Sequence, residues 1–187
     1  MRQVIFGNKQ DLAKRSGFTI IELLIVIVVI GILTTLTVVA YGGIQARTRD
    51  TIVKNAAKQF AVELQRFSAD TGKTPLQTGG GYLGNGTGYV SVLNTNVNYP
   101  IAIETVLINS GYLPADFTKN LPVNKQSNNS SGTLMLYACG SKYVVYYSLE
   151  APTSDDTAAF NNVVTQCGSI ATTVHDSYNM QGGYVFS

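Results

Sequence analysis

The residue with the clearest chemical consequence is Glu22, the one charged side chain between Phe18 and Ala40. A carboxylate in an apolar helix is costly near the centre of a bilayer and less so near its surface. Glu22 therefore needs a place at the membrane surface, a bound proton or a positively charged partner. Cleavage between Gly17 and Phe18 would supply such a partner, because it leaves a free α-amine at Phe18.

Residues 18–40 form an apolar run of 23 residues, which follows two basic side chains and the small pair Ser16-Gly17. At about 1.5 Å per residue, a helix of this length spans about 34 Å, enough for a bilayer core of about 30 Å. An ordinary secretory signal has an apolar core of about 7–15 residues, and its small-residue cleavage site follows that core. Here the small residues come first, so we predict a membrane-spanning helix with a processing site before it. The alternative is an uncut signal anchor with Glu22 near the lipid headgroups.

Residues 14–23, KRSGFTIIEL, resemble the prepilin signal of type IV pilins and their relatives. In that family a membrane-embedded aspartic peptidase cuts after the glycine and N-methylates the new first residue. The mature subunits then polymerise into helical filaments. The resemblance implies cleavage between Gly17 and Phe18, N-methylation of Phe18 and a role for Glu22 in assembly.

The resemblance also implies partners and a location. The partners would be other copies of the chain in a filament, a prepilin peptidase and methyltransferase, and the inner-membrane platform that assembles pili. The precursor would be a single-pass membrane protein with a cytoplasmic leader, and the assembled filament would lie in the envelope or on the cell surface. Gly31 stands where these pilins usually have a helix-loosening glycine, whereas Val39 replaces the proline that many of them carry.

The charge distribution separates the leader from the remainder. Residues 1–17 carry four basic side chains and one acidic one, or +3, and residues 18–187 carry nine basic and ten acidic ones, or −1. A basic leader on the cytoplasmic side agrees with the positive-inside tendency. We predict no specific nucleic-acid or small-molecule partner for the exported part.

The sequence after the apolar run predicts an amphipathic helix. Apolar residues from Ile52 to Phe67 recur at spacings of three and four, which places them on one helical face. Gly42-Gly43 favours a bend or a frayed turn before this helix, and Gly72 followed by Pro75 ends it. We therefore expect a removed leader at 1–17, a transmembrane or filament-core helix at 18–43, an amphipathic helix at 44–72 and an exported β-rich head at 73–187.

Within the head, residues 133–139 and 142–149 are rich in aromatic and β-branched side chains, and Gly140-Ser141 between them suits a type II′ hairpin turn. We expect short helices at 101–110 and from Ser154 to about Thr165, and further strands at 170–174 and 183–186. The segments 73–98 and 121–132 are predicted loops. The fold class is α+β: a long N-terminal helix packed by its second half on an antiparallel sheet, as in pilins.

Cys139 and Cys167 are the two cysteines of the chain, and both lie in the part that we expect to be exported. One disulfide is therefore possible, with two buried free thiols as the alternative. The sequence contains no zinc-ligand pattern, and the single histidine, His175, has no nucleophile motif beside it. The sequence of Gly79–Gly84 matches the G-x-G-x-x-G pattern of dinucleotide-binding sites. No strand is predicted before it, so we interpret the segment as a turn. We predict no enzyme activity, no cofactor and no metal.

Three functions fit these observations. The first is a structural subunit of a type IV pilus-like filament. The second is a pseudopilin or minor pilin of a type II secretion or DNA-uptake system. The third is a membrane-tethered adhesin that does not polymerise, which would need neither cleavage nor Glu22.

Overall fold

The structure is a computed structural model, and it describes residues 17–84, 86–90, 101–119, 121–122 and 133–187. The chain divides into two compact units, an N-terminal unit that ends at Tyr41 and a C-terminal unit, Gly42–Ser187. Most of the predicted loop at 121–132 lies outside the described residues.

The first element is helix α1, Ile20–Thr71, with 52 residues. It passes through Gly42 and Gly43 without interruption, so a frayed turn does not form there. A glycine lowers helix stability by only about 1 kcal/mol relative to alanine, and the long helical stretches on both sides outweigh that loss. Gly72 follows the last helical residue with a φ of 68°, which confirms the predicted end of the helix. Left-handed glycine is the commonest way for a helix to stop.

The C-terminal unit contains a four-stranded antiparallel sheet in the order β1-β2-β3-β4. Its strands are β1 (Gly88–Tyr89), β2 (Leu134–Cys139), β3 (Lys142–Tyr147) and β4 (Gly182–Phe186). The predicted hairpin is confirmed, with Leu134 opposite Tyr147 and Cys139 opposite Lys142. Gly140 at its turn has a φ of 62°, a value that glycine adopts freely. Strand β1 lies in a segment that we predicted as loop, and so do two short 3₁₀ segments, Pro75–Gln77 and Tyr82–Gly84.

One face of the sheet packs against the C-terminal half of α1. The predicted apolar stripe is buried there, with Ala57, Phe60 and Leu64 fully inaccessible to solvent. It shares a core with side chains from alternate sheet positions, among them Leu134, Leu136, Val145 and Tyr147. Helix α2, Ile103–Asn109, adds Ile103 and Leu107 to the same core and confirms the short helix predicted at 101–110.

The opposite face of the sheet is covered by helices α3 (Ser154–Cys167) and α4 (Ser169–Tyr178). They bury Phe160, Val163, Ala171 and Val174 against Met135, Val144 and Tyr146 of the sheet. The strand predicted at 170–174 is wrong, because that segment lies in α4. Its apolar residues Ala171 and Val174 are three apart, and Thr172 and Thr173 donate their hydroxyl hydrogen bonds to the Ser169 carbonyl within the helix.

A disulfide ties this second layer to the sheet. Cys139 at the end of β2 and Cys167 at the end of α3 are joined by a disulfide with a Cα–Cα distance of 5.2 Å. Tyr147 is buried on the face of the sheet that packs against α1, and Tyr146 is buried on the opposite face. Burial raises the pKa of both tyrosines to about 12. The sheet has a helical layer on each face. The sequence predicted the layer formed by α1, but it did not place the helix predicted from Ser154 to about Thr165 relative to the sheet.

Candidate processing and assembly site

The residues predicted for processing and assembly lie together at the start of α1. Gly17, Phe18 and Thr19 precede the helix, and Glu22 is in its first turn. The bond between Gly17 and Phe18 therefore lies outside the helix, and the Phe18 side chain is exposed. A peptidase can reach a bond in such a segment without first unwinding helical hydrogen bonds.

Thr19 and Glu22 form a capping box at this helix start. Thr19 donates from its backbone N–H and from its hydroxyl to Glu22 Oε2, at 2.8 Å each. In return, the backbone N–H of Glu22 donates to Thr19 Oγ1 at 3.3 Å. Such reciprocal contacts satisfy backbone donors that the first turn would leave free, and the helix dipole also favours a carboxylate there. Glu22 thus fixes where the helix begins, two residues after the predicted cleavage bond.

The apolar side chains that follow are exposed in the part of the chain that the structure describes. In the large apolar residues from Phe18 to Leu36, the exposed fraction runs from 47% at Val29 to 86% at Ile20. Of the helices in the described part of the chain, α1 is the one long and apolar enough to cross a membrane. This surface requires a non-aqueous environment, either lipid or other protein.

The threonine hydroxyl groups within this surface donate hydrogen bonds to backbone carbonyls of the preceding helical turn. Thr34 donates to the Ile30 carbonyl at 2.7 Å, and Thr37 donates to the Leu33 carbonyl at 2.9 Å. Thr35 makes a similar bond to the Ile32 carbonyl at 2.8 Å. Because buried hydroxyl groups are costly without a partner, these bonds make the segment compatible with an apolar environment.

Residues 12–38 match the family model described as the prokaryotic N-terminal methylation motif. The chain carries the class III signal of type IV pilins. The match includes Gly17, Phe18, Thr19 and Glu22, and it marks structural pilin-like proteins. Together with a long apolar helix and an antiparallel sheet, it supports a membrane-anchored type IV pilin-like or pseudopilin precursor. No curated protein and no solved structure matches the chain.

A second polar cluster, here called the polar clamp, joins α1 to the connection between β3 and α3 within the C-terminal unit. Asp50 accepts hydrogen bonds from the backbone N–H groups of Glu150 at 2.7 Å and Ala151 at 2.9 Å. Arg49 binds both carboxylate oxygens of Glu150, at 2.9 and 2.6 Å, and Lys54 forms an ion pair with Asp156.

The polar clamp changes the pKa of two of its members. The hydrogen bonds to Glu150 raise the pKa of Arg49 above its ordinary value. Burial acts to raise the pKa of Asp156, but hydrogen bonds from Lys54 and Thr153 outweigh it and hold that pKa below its usual value. Both groups are therefore charged at neutral pH, and the contacts are those of a structural connection.

The other candidate residues lie apart from the processing site along the chain. His175 Nδ1 is 2.8 Å from Asp176 Oδ1, and its ring packs beside Phe160 at 5.1 Å between centroids. Asp156 caps α3 together with Thr153, so the adjacent carboxylates of Asp155 and Asp156 lie in the first turn of that helix. Within the described ranges, no group of three or more His, Cys, Asp or Glu side chains could hold a metal ion.

We did not predict the capping role of Thr19 from the sequence, although a signal for it was present. Thr19-Ile20-Ile21-Glu22 has the T-x-x-E spacing of a capping box directly before an apolar run. The polar clamp had no comparable signal, because its partners are about 100 residues apart.

Proposed function

We propose that this chain is the precursor of a structural subunit of a type IV pilus-like filament. The observation that carries the proposal is the methylation motif immediately before a helical segment with an exposed apolar surface. A prepilin peptidase would cut between Gly17 and Phe18 and methylate Phe18. Residues 18–43 would lie in the membrane before assembly and in the filament core afterwards, so their apolar surface would be shielded from water in both states.

Glu22 is the residue that we assign to assembly. Its two contacts with Thr19 fall on one carboxylate oxygen, Oε2. When apolar helices pack side by side and exclude water, an incompletely paired carboxylate is strongly disfavoured. Cleavage creates an α-amine at Phe18, and we assign Glu22 of one subunit to the Phe18 amine of its neighbour. This pair would set the axial register of the filament more than its stability.

Mass spectrometry of the intact surface protein and of its N-terminal peptide tests the processing step. The mature chain should begin at Phe18 and carry one added methyl group on its α-amine. Gly17→Val should retain the leader, because a branched side chain crowds the peptidase cleft next to the cut bond. Normal maturation of that variant would exclude this cleavage site.

Two substitutions at Glu22 separate its charge from its capping contacts. Glutamine is also a capping-box residue, so Glu22→Gln keeps the helix start and removes the charge, whereas Glu22→Ala removes both. We expect both variants to insert and to be cleaved, and filament yield to fall steeply in both. Asp116→Asn, an exposed carboxylate in the C-terminal unit, is the matched control and should assemble normally.

The outcomes distinguish the possible functions. Normal assembly of Glu22→Gln with failure of Glu22→Ala would show that the cap matters and the charge pair does not. A cleaved protein that is scarce in sheared filaments would be a pseudopilin or minor pilin. A parent protein that keeps its leader and builds no filament would be a tethered module.

A further inference from the structure

Arg47 is the first charged residue after Glu22, and it follows the end of the apolar run at Ala40 by seven residues. Both positions belong to α1, where seven residues correspond to about 10 Å along the helix. A bilayer has a polar headgroup layer of about 5–8 Å on each side of its hydrocarbon core. Side chains of an α-helix lean over the preceding turn, about 5 Å towards the N-terminus. A membrane that holds residues 18–40 would therefore have the Arg47 guanidinium in its headgroup layer.

The Arg47 side chain is exposed, and it makes no hydrogen bond or ion pair with the residues that the structure describes. By contrast, Arg49 and Lys54, the next basic residues of α1, are bound to carboxylates of the polar clamp. Asp50 is one turn from Arg47, but it is buried and both of its carboxylate oxygens already accept backbone hydrogen bonds. Any anion that binds Arg47 must therefore come from outside the described residues.

The residues beside Arg47 on the helix surface also suit a headgroup layer. Ile44 lies one turn before it and is 60% exposed, and Thr48 and Thr51 are exposed on the same side of the helix. The two threonine hydroxyl groups donate to the carbonyls of Ile44 and Arg47, at 2.9 Å each. We call these four residues the Arg47 face. It combines an apolar side chain with a cation and has no carboxylate, a combination typical of helix surfaces at membrane interfaces.

We infer that the Arg47 face binds an anionic phospholipid on the exported side of the membrane, an inference that rests on the membrane placement in the proposed function. The lipid phosphate supplies the anion for the guanidinium, which binds phosphate through charge-assisted hydrogen bonds of fixed geometry. The adjoining acyl chains supply apolar contact for Ile44. One basic side chain near an anionic membrane surface corresponds to about a fivefold preference for anionic over zwitterionic lipid. The contact would fix the depth of α1 in the membrane before assembly.

A photo-crosslinking amino acid at position 44 reports which molecules lie beside Arg47. The full-length protein is placed in vesicles of phosphatidylcholine and phosphatidylglycerol in known proportion, and the adducts on the peptide that contains position 44 are identified by mass. Relative to the vesicle composition, phosphatidylglycerol adducts should exceed phosphatidylcholine adducts about fivefold. Arg47→Gln removes the charge and should return the ratio to the vesicle composition. Arg47→Lys retains the charge and should keep most of the preference.

Lys58→Gln is the matched control and should leave the lipid ratio unchanged. Lys58 is an exposed cation on the same helical face, eleven residues or about 16 Å further from the apolar run.

Three results would overturn the inference: a parent ratio equal to the vesicle composition, an absence of lipid adducts, or adducts mainly to a second copy of the chain. Loss of the preference on addition of inorganic phosphate would also overturn it, because it would indicate a site for free anions. The assay needs no filament. A parent that shows the fivefold preference but builds no filament would therefore remove the filament function and leave the lipid contact standing.

Discussion

Asp50 should make one of the larger single contributions to the stability of the C-terminal unit. Its side chain is buried, with 4% exposed, and each carboxylate oxygen accepts one backbone hydrogen bond. A hydrogen bond to a charged acceptor contributes about 1.5–3 kcal/mol, and both bonds are partly buried. Taking the lower value for each, Asp50→Ala should lower the free energy of unfolding by about 3 kcal/mol.

Asp50→Asn provides a graded comparison for the same site. Its amide keeps one carbonyl oxygen as an acceptor but places an N–H₂ group against the second backbone donor. At least half of the stabilisation should therefore be lost, because one backbone N–H is left without an acceptor and the other loses a charged one. For a chain of this size, 1 kcal/mol corresponds to about 2–4 °C in melting temperature, so Asp50→Ala should melt about 6–12 °C below the parent.

The measurement is thermal unfolding of the full-length protein in detergent, followed by near-ultraviolet circular dichroism of the buried tyrosines. Asp116→Ala removes an exposed carboxylate and should change stability by less than about 0.5 kcal/mol. If Asp50→Ala melts at the same temperature as Asp116→Ala, the polar clamp does not stabilise the unit and the estimate is refuted.

Two further predictions concern the disulfide and Asp156. Replacing Cys139 and Cys167 together by alanine should lower the free energy of unfolding by about 3.5 kcal/mol. This value comes from the loop-entropy relation applied to a sequence separation of 28. Free thiols in the folded, non-reduced protein would contradict the disulfide. Because the folded pKa of Asp156 is lowered, its stabilisation is complete well above the ordinary pKa of about 3.9 and is lost as pH falls through the folded pKa. In urea titrations from pH 6 to pH 3, the stability difference between the parent and Asp156→Asn should therefore shrink, and a constant difference would contradict this assignment.

The sequence predicted those elements whose residue pattern lies within one continuous segment and extends over many residues. Helix α1 has a sustained pattern of apolar residues and a glycine stop, and the β2–β3 hairpin has two β-branched and aromatic runs around Gly140. The fold class, the helix before Gly111 and the final strand follow from similar signals.

The errors arose where tertiary contacts decide the structure. Residues 170–174 contain β-branched side chains typical of a strand, but Gly168 with φ 60° lets the chain start a new helix whose apolar face covers the sheet. Strand β1 has only two residues and is defined by its pairing with β2. The polar clamp depends on partners that are distant in the sequence, which residue spacing does not encode.

The position of the polar clamp along the chain also constrains the order of folding. Asp50 can accept its hydrogen bonds only when Glu150 and Ala151, about 100 residues later, are in place. The apolar stripe of α1 can likewise be buried only when the strands from Leu134 onwards have formed. Under the proposed function this unit is exported, and most of it must emerge before the sheet can cover the stripe. Contacts of such high sequence separation form slowly, and exposed apolar surface favours aggregation meanwhile. If the proposed function holds, newly exported chains should be most vulnerable to proteolysis and misassembly until their C-terminal third has crossed the membrane.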